Sequence, residues 1–253
     1  MTLGRQWDSR LRIWDNAFSE HFYQPIEELE ITGFTTMEQL SLEMAKAEKY
    51  EPFSVGQKWG KKWEYGWFKT SITLPESAQG KRIVMTLGVA PEMLVFVNNE
   101  EAGSIDKQHF FITLSQCARA GENYEIYAEG YAGHGPRMEN AGIWSRESVP
   151  VPEPPASQCT IGKSTYGVWN EDMFLAYADY HTLYELWKKL PESSLRAMEI
   201  GKALQEFTYK ADFELPEPQR TKSVVAAREI LKPLLAKKNG DTAVKYTVFG
   251  LSH

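Results

Sequence analysis

The spacing of apolar residues changes period twice along this 253-residue chain. Near the start, LRIWDNAFSEHFY sets Leu11, Trp14, Phe18 and Phe22 at helical intervals, so that their side chains share one face. TTMEQLSLEMAKAEKY then opens on Thr36, a capping residue type, followed by Glu38 and Gln39, and predicts a second helix. PIEELEITGF, between the two, reads as extended. Residues 1–55 are therefore expected to form an N-terminal helical segment.

From residue 56 the pattern shortens to strand-like runs broken by turn residues: GWFKTSITLPESAQG, KRIVMTLGV, EMLVFVNNEEAGSI, HFFITLS and NYEIYAEGY. Phe68, Thr70, Ile72 and Leu74 alternate with polar neighbours, as on a half-buried strand, and VNNEEAG suits a hairpin turn between Val97 and Ile105. Many short strands at this spacing predict a jelly-roll-like antiparallel β-sandwich over residues 56–170. The four prolines of VPVPEPPASQ make that stretch a connector, and TYGVWN supplies one more strand.

Helical periodicity returns over 171–240. Tyr180, Leu183, Tyr184 and Trp187 form one apolar face, and Leu195, Met198, Leu204 and Phe207 a second. A third helix runs from about Lys222 to Lys238, with Pro233 kinking it or starting a new turn, and ends on Lys237, Lys238, Asn239 and Gly240. KYTVFGLSH, residues 245–253, then reads as a mostly buried strand that needs neighbours on both sides. Residues 241–253 are thus expected to be the first strand of an α/β unit continued by further chain. The fold class is α+β: a mainly β core with a helical segment before it and a helical linker after it.

Composition narrows the function. With Lys+Arg 28 against Asp+Glu 34, the net charge of −6 provides no basic field for nucleic acid or anionic lipid. Two cysteines, Cys117 and Cys159, are too few for a disulfide framework or a Cys-rich zinc module, and no signal-peptide or membrane-spanning apolar run occurs. A reducing cytoplasm fits best.

Three stretches carry a family resemblance. WGKKWEYGWFKTSITLPESAQGKRIVMTLGV, WNEDMFLAYADYHTLYELWKKLPESSLRAMEIGKALQEFTYKAD and the terminal FGLSH resemble the N-terminal region of family 38 glycoside hydrolases, the class II α-mannosidases. The resemblance covers nearly the whole chain. It implies a sandwich followed by a helical segment leading to a catalytic barrel, whose first strand enters Gly-His-x-His-x-Asp, the second His and the Asp binding zinc. Laying Gly250 on the motif's glycine puts Ser252 at x and His253 at the metal-binding His, with a departure at Leu251, and the Asp would lie two residues past the end. Independently, side chains two apart on a strand project to the same side roughly 6.5–7 Å apart, so a His-x-Asp pair can converge on one cation. Zinc is expected in the intact enzyme and not in this stretch alone.

For the intact enzyme the resemblance further implies retaining hydrolysis of terminal α-linked mannose, with every catalytic carboxylate beyond His253. This stretch alone is then inactive. Implied partners are an oligosaccharide substrate, the barrel of the same chain and, as an option, a second copy in a homo-oligomer. Two other readings stay open: a free-standing carbohydrate-binding module and an architectural or oligomerisation domain.

Other signals have bland explanations beside the sharp ones. Trp59, Trp63 and Trp67 could stack on sugar rings, although large aromatics more often fill cores or domain contacts. His134, with Arg137 and Glu139 in GYAGHGPRMEN, resembles a site loop, although a surface turn is the more ordinary reading of such a stretch. The adjacent pairs Glu27/Glu28 and Glu100/Glu101 diverge, whereas a retaining glycosidase needs carboxyls about 5–5.5 Å apart, so they read as solvated surface.

Overall fold

The computed structural model describes residues 5–133 and 153–237, which divide into two compact units: residues 23–169, and residues up to 22 together with those from 170 onward. Strands are numbered β1–β12 and helices α1–α6 in chain order.

The first unit is a sandwich of antiparallel sheets. Its six-stranded sheet runs in the order β3 (Glu51–Phe53), β2 (Ile31–Thr36), β5 (Tyr65–Thr73), β10 (Asn123–Tyr131), β7 (Met93–Val97), β8 (Glu100–Ile105). The four-stranded sheet runs β1 (Tyr23–Glu28), β12 (Thr165–Trp169), β6 (Ile83–Thr86), β9 (Ile112–Ser115), and β4 (Lys58–Trp59) pairs with β11 (Cys159–Thr160). Phe68, Ile72, Leu74, Met93, Val95, Ile126 and Ala128 of the larger sheet meet Ile83, Met85, Ile112 and Tyr166 of the smaller in one apolar core. This is the period-2 alternation read from the sequence, with Thr70 buried among the inward residues of β5. The β7–β8 turn also follows the sequence: Asn98 and Asn99 take φ of 52° and 71°, the left-handed pair of a type I′ turn, whose twist matches the flanking strands.

The expected N-terminal helical segment of residues 1–55 is corrected here, because helix gives way to strand at Tyr23. β1 is an edge strand with most residues exposed, so it shows little apolar pattern, and its edge position tolerates Pro25. In β2 the buried positions are Ile31 and Gly33; at Gly33 a Cβ would come within 2.7 Å of the Trp67 carbonyl oxygen, so close packing there erases a side chain that would have extended the strand signal. The helix expected to begin at Thr36 starts later and is short. Thr36 Oγ1 accepts from the Glu38 N–H at 3.1 Å in a turn, and Ser41 caps α2 (Leu42–Lys46).

The second unit is helical: α1 (Arg5–Ala17), α3 (Glu171–Lys189), α4 (Leu195–Lys210), α5 (Gln219–Arg228) and α6 (Lys232–Ala236). Asn170 caps α3 by accepting from the Met173 N–H at 3.1 Å, and Ser194 caps α4 through the Ala197 N–H at 3.1 Å. Leu11 and Phe18 pack with Tyr180, Leu183, Ile200, Leu204, Phe207 and Val224. Polar contacts fix α1 against α3: Tyr180 donates to the Leu11 carbonyl at 3.0 Å, Tyr184 to Asp8 at 2.8 Å, and His181 Nδ1 lies 2.9 Å from Asp15. One correction applies to α4. Leu195 and Met198 are 68% and 42% exposed, and the buried face runs instead through Ala197, Ile200, Leu204, Phe207 and Thr208. Pro233 starts α6 after a break at Glu229–Leu231, as its ring requires. Residues 241–253, expected as a barrel strand, lie outside the described residues.

Candidate functional site

The outward face of the six-stranded sheet is only half covered. Strand register lines up Phe34, Trp67, Glu129 and Leu94 across β2, β5, β10 and β7, and Thr36, Tyr65 and Tyr131 across the first three of these. Over one half, α2 and the segment around it bring Ala45, Leu40, Leu42 and Tyr50 onto Trp67, Tyr127, Phe34 and Phe96. Lys69 extends that cover, its ammonium 5.1 Å from the Tyr127 ring centre and 2.9 Å from Glu125.

The other half is a groove of about 530 Å³ lined by Gln39, Tyr65, Ser104, Glu129 and Tyr131 among others. Its rim is aromatic. Tyr65 and Tyr131 stack at 4.6 Å between ring centres with a 28° tilt, and Trp63 continues the row 6.4 Å from Tyr131 at 29°. Trp63 and Tyr131 are 46% and 40% exposed. Trp63 adopts φ of 66° and donates its N–H to the Gly133 carbonyl at 2.7 Å, so the turn presenting it is held. That turn has a buried clasp: Glu64 Oε2 accepts from the N–H groups of Gly60 at 3.0 Å and Lys61 at 2.8 Å.

On the floor stands Glu129. Its Oε1 is buried with no hydrogen-bond partner, and burial pushes its carboxyl above the usual carboxylate range. Trp67, its register partner on β5, is 1% exposed, and its indole N–H is likewise buried and unpaired. Asp106, at the wall, is spent on its own turn. It accepts from the N–H groups of Gln108 at 2.7 Å and His109 at 2.8 Å, and with the His109 ring these hold its carboxyl down at about 2.

The three tryptophans singled out in the sequence therefore separate. Trp59 is core: it donates to the Val89 carbonyl at 2.8 Å and packs over the register-paired Gly66 and Gly130, where a Cβ would stand 2.8 and 3.4 Å from the indole. Trp67 lies under the covered half, and only Trp63 faces outward. Sequence reasoning missed Tyr65, Tyr131 and Glu129. The signal was available as alternation along YGW and EGY, where the glycines mark the inward positions.

Glu27 and Glu28 do diverge: Glu27 accepts from Tyr166 Oη at 3.0 Å and Glu28 pairs with Lys163 at 3.3 Å, while Glu100 and Glu101 are exposed. Cys117 and Cys159 are unpaired thiols, the second buried and pushed up by that burial and by Glu64. Among the described residues no three His, Cys, Asp or Glu side chains converge as a metal site, and no helix is long and apolar enough to cross a membrane. His134, Arg137, Glu139 and His253 lie outside the described residues.

Comparison with known proteins agrees with this fold. The family model described as alpha-mannosidase, jelly roll domain (Ams1-like), matches residues 24–153, from β1 through the end of the larger sheet. The chain belongs to the α-mannosidase jelly-roll family, and carries an N-terminal region of the family 38 type. Alpha-mannosidase 2C1 of Mus musculus is 22% identical over 227 residues, 88% of this chain and 21% of the mouse protein. The Homo sapiens protein of the same name is 23% identical over 202 residues, 78% of this chain and 19% of its own length. The chain thus spans about a fifth of these curated relatives. Among solved structures, a β-glucuronidase from Ruminococcus gnavus in complex with D-glucaro-δ-lactam gives a TM-score of 0.39 at 13% identity, over 59% of this chain and 29% of that one.

Proposed function

We propose that this chain is the N-terminal, non-catalytic portion of an α-mannosidase that, when intact, releases terminal α-linked mannose from oligosaccharides by a zinc-assisted retaining mechanism in the cytoplasm. One observation carries the reading: the jelly-roll match extends into relatives named α-mannosidases, of which this chain covers only about a fifth. The described residues offer no donor set that fits zinc, so no catalytic step is assigned to them. The metal and the catalytic carboxylates would come from a barrel of the same polypeptide, His253 contributing one imidazole. The sandwich and helical units serve that barrel as scaffold, and a second copy is a further candidate partner.

Two measurements test this. Sequencing the transcript beyond the codon for His253 is expected to reveal an Asp two residues on and a barrel-length open frame; an immediate stop codon overturns the reading. The purified 253-residue chain is expected to leave an aryl α-mannoside intact with zinc supplied, and zinc-dependent release of the aryl group would overturn its non-catalytic assignment.

A further inference from the structure

The groove on the outward sheet face offers rings and polar groups of the kind a sugar uses, none of them part of the catalytic reading above. A pyranose presents C–H faces that pack on aromatic rings and a rim of hydroxyls that each donate and accept. Tyr65, Tyr131 and Trp63 provide a row of rings within 30° of parallel between neighbours, Tyr131 and Trp63 substantially exposed. The row is preorganised: Tyr65 and Tyr131 sit opposite each other at the end of the nine-residue β5–β10 pairing, and Glu64 clasps the turn that holds Trp63.

Polar groups converge beside the row. Glu129 carries a buried carboxylate oxygen with no protein donor, and Trp67, directly across from it, a buried N–H with no acceptor. Of the two, Glu129 lines the groove and brings a carboxylate acceptor to it, while Trp67 stays beneath the covered half and contributes no group to the lining. Gln39 and Ser104 add amide and hydroxyl groups to the lining, and Asp106, already saturated by its own turn, adds wall rather than a free acceptor. The volume of about 530 Å³ lies within the range of small-molecule sites.

Charge selects the sugar. Among the described residues the lining contains Glu92, Asp106 and Glu129 and no Lys or Arg, so a carboxylated, sulfated or phosphorylated saccharide would meet like charge there. We propose that this groove is a binding subsite for a neutral hexopyranose unit of a glycan, with Tyr131 and Trp63 as its stacking platform and Glu129 as acceptor for sugar hydroxyls.

The test is calorimetric titration of the full chain with mannotriose, cellotriose and glucuronic acid. Saturable binding of a neutral trisaccharide is expected, with no detectable binding of glucuronic acid. Tyr131→Ala and Trp63→Ala alter exposed rings and should each weaken the affinity at least tenfold with far-UV circular dichroism unchanged. Tyr131→Phe, which keeps the stacking face, should retain it within about threefold, a difference well under 1.4 kcal/mol. Silence with both trisaccharides, tighter binding of glucuronic acid, or binding indifferent to Tyr131→Ala and Trp63→Ala would each overturn the proposal. A mannosidase reading that fails leaves this outcome untouched, since no readout here involves hydrolysis.

Discussion

Replacing Gly66 by alanine tests whether the Trp59 cradle fixes the edge of the sandwich that supports the aromatic row. Gly66 is not in the left-handed region, so alanine can adopt its backbone, and the change should by itself stabilise by about 0.4–1 kcal/mol through the unfolded chain. The added Cβ, however, would stand 2.8 Å from the Trp59 ring and 2.8 Å from Phe68 Cε2, well inside contact distance. Overpacking of a dense core costs about 1–3 kcal/mol, so the net expectation is a loss of about 0.5–2 kcal/mol. Trp59 cannot retreat easily, because its indole N–H is committed to the Val89 carbonyl at 2.8 Å and its ring meets Phe68 edge-on at 5.2 Å.

A double-mutant cycle isolates the clash. Trp59→Leu alone removes the ring and the bond to Val89 and should cost about 2–4 kcal/mol. In that background Gly66→Ala should cost at least about 1 kcal/mol less than in the parent, the relief being partial because Phe68 remains. Urea unfolding followed by circular dichroism at constant m supplies the four stabilities. Gly66→Ala no less stable than the parent, or two costs that simply add, would refute the cradle.

Glu64→Ala removes the acceptor of two backbone N–H groups and should cost about 2 kcal/mol. It should also speed amide exchange at Trp63, and unchanged exchange there would show that the turn is held by something else. Glu129→Gln should stabilise the chain at pH 7 while weakening neutral-saccharide binding. Because burial raises the Glu129 carboxyl in the folded chain, the folded state holds its proton to higher pH. Stability therefore falls as pH rises from the ordinary value near 4.3 through the raised one, and the cost is fully present above that. The side chain is only part-buried, so the gain at pH 7 should stay below about 1 kcal/mol and vanish below about pH 4; a lower urea midpoint at pH 7 would contradict it.

Legibility in the sequence tracks how much side-chain pattern each element needs. The five strand runs from Trp67 to Tyr131 and the Asn98-Asn99 turn could be read because each buries alternate residues or requires left-handed backbone. β1 and β2 were legible only as one extended stretch, PIEELEITGF, inside an expected helical segment, because exposure or close approach thins the pattern: Pro25 and Glu27 are exposed, and Gly33 has no side chain to contribute. On α4, Leu195 and Met198 satisfied a helical period yet face solvent, because the small residues Ala197 and Gly201 allow close packing on the face beside them. The groove was half legible. Trp63 was noticed as an aromatic, and alternation along YGW and EGY shows which residues face outward, whereas the register that sets Glu129 beside Trp67 and Tyr131 beside Tyr65 spans more than 60 residues of intervening chain, a pairing no local pattern encodes.

The two faces of the larger sheet make different demands, and the difference bears on whether the sandwich is scaffold alone. The inward face needs chiefly volume, and Phe68, Ile72, Ile126 and Val95 supply it, with Thr70 the polar exception on β5. A sheet serving purely as support could treat its outward face in either of two inexpensive ways: cover it fully, or keep it polar and solvated. Half of the face follows the first course under α2 and Tyr50. The remaining half follows neither. It keeps exposed aromatic rings and a carboxylate whose burial without a donor opposes folding, while Glu64 is invested in holding one of those rings outward. Exposed rings and an unpaired carboxylate oxygen gathered in one groove, and consistent with one ligand chemistry, fit the binding subsite proposed above better than a role as support alone.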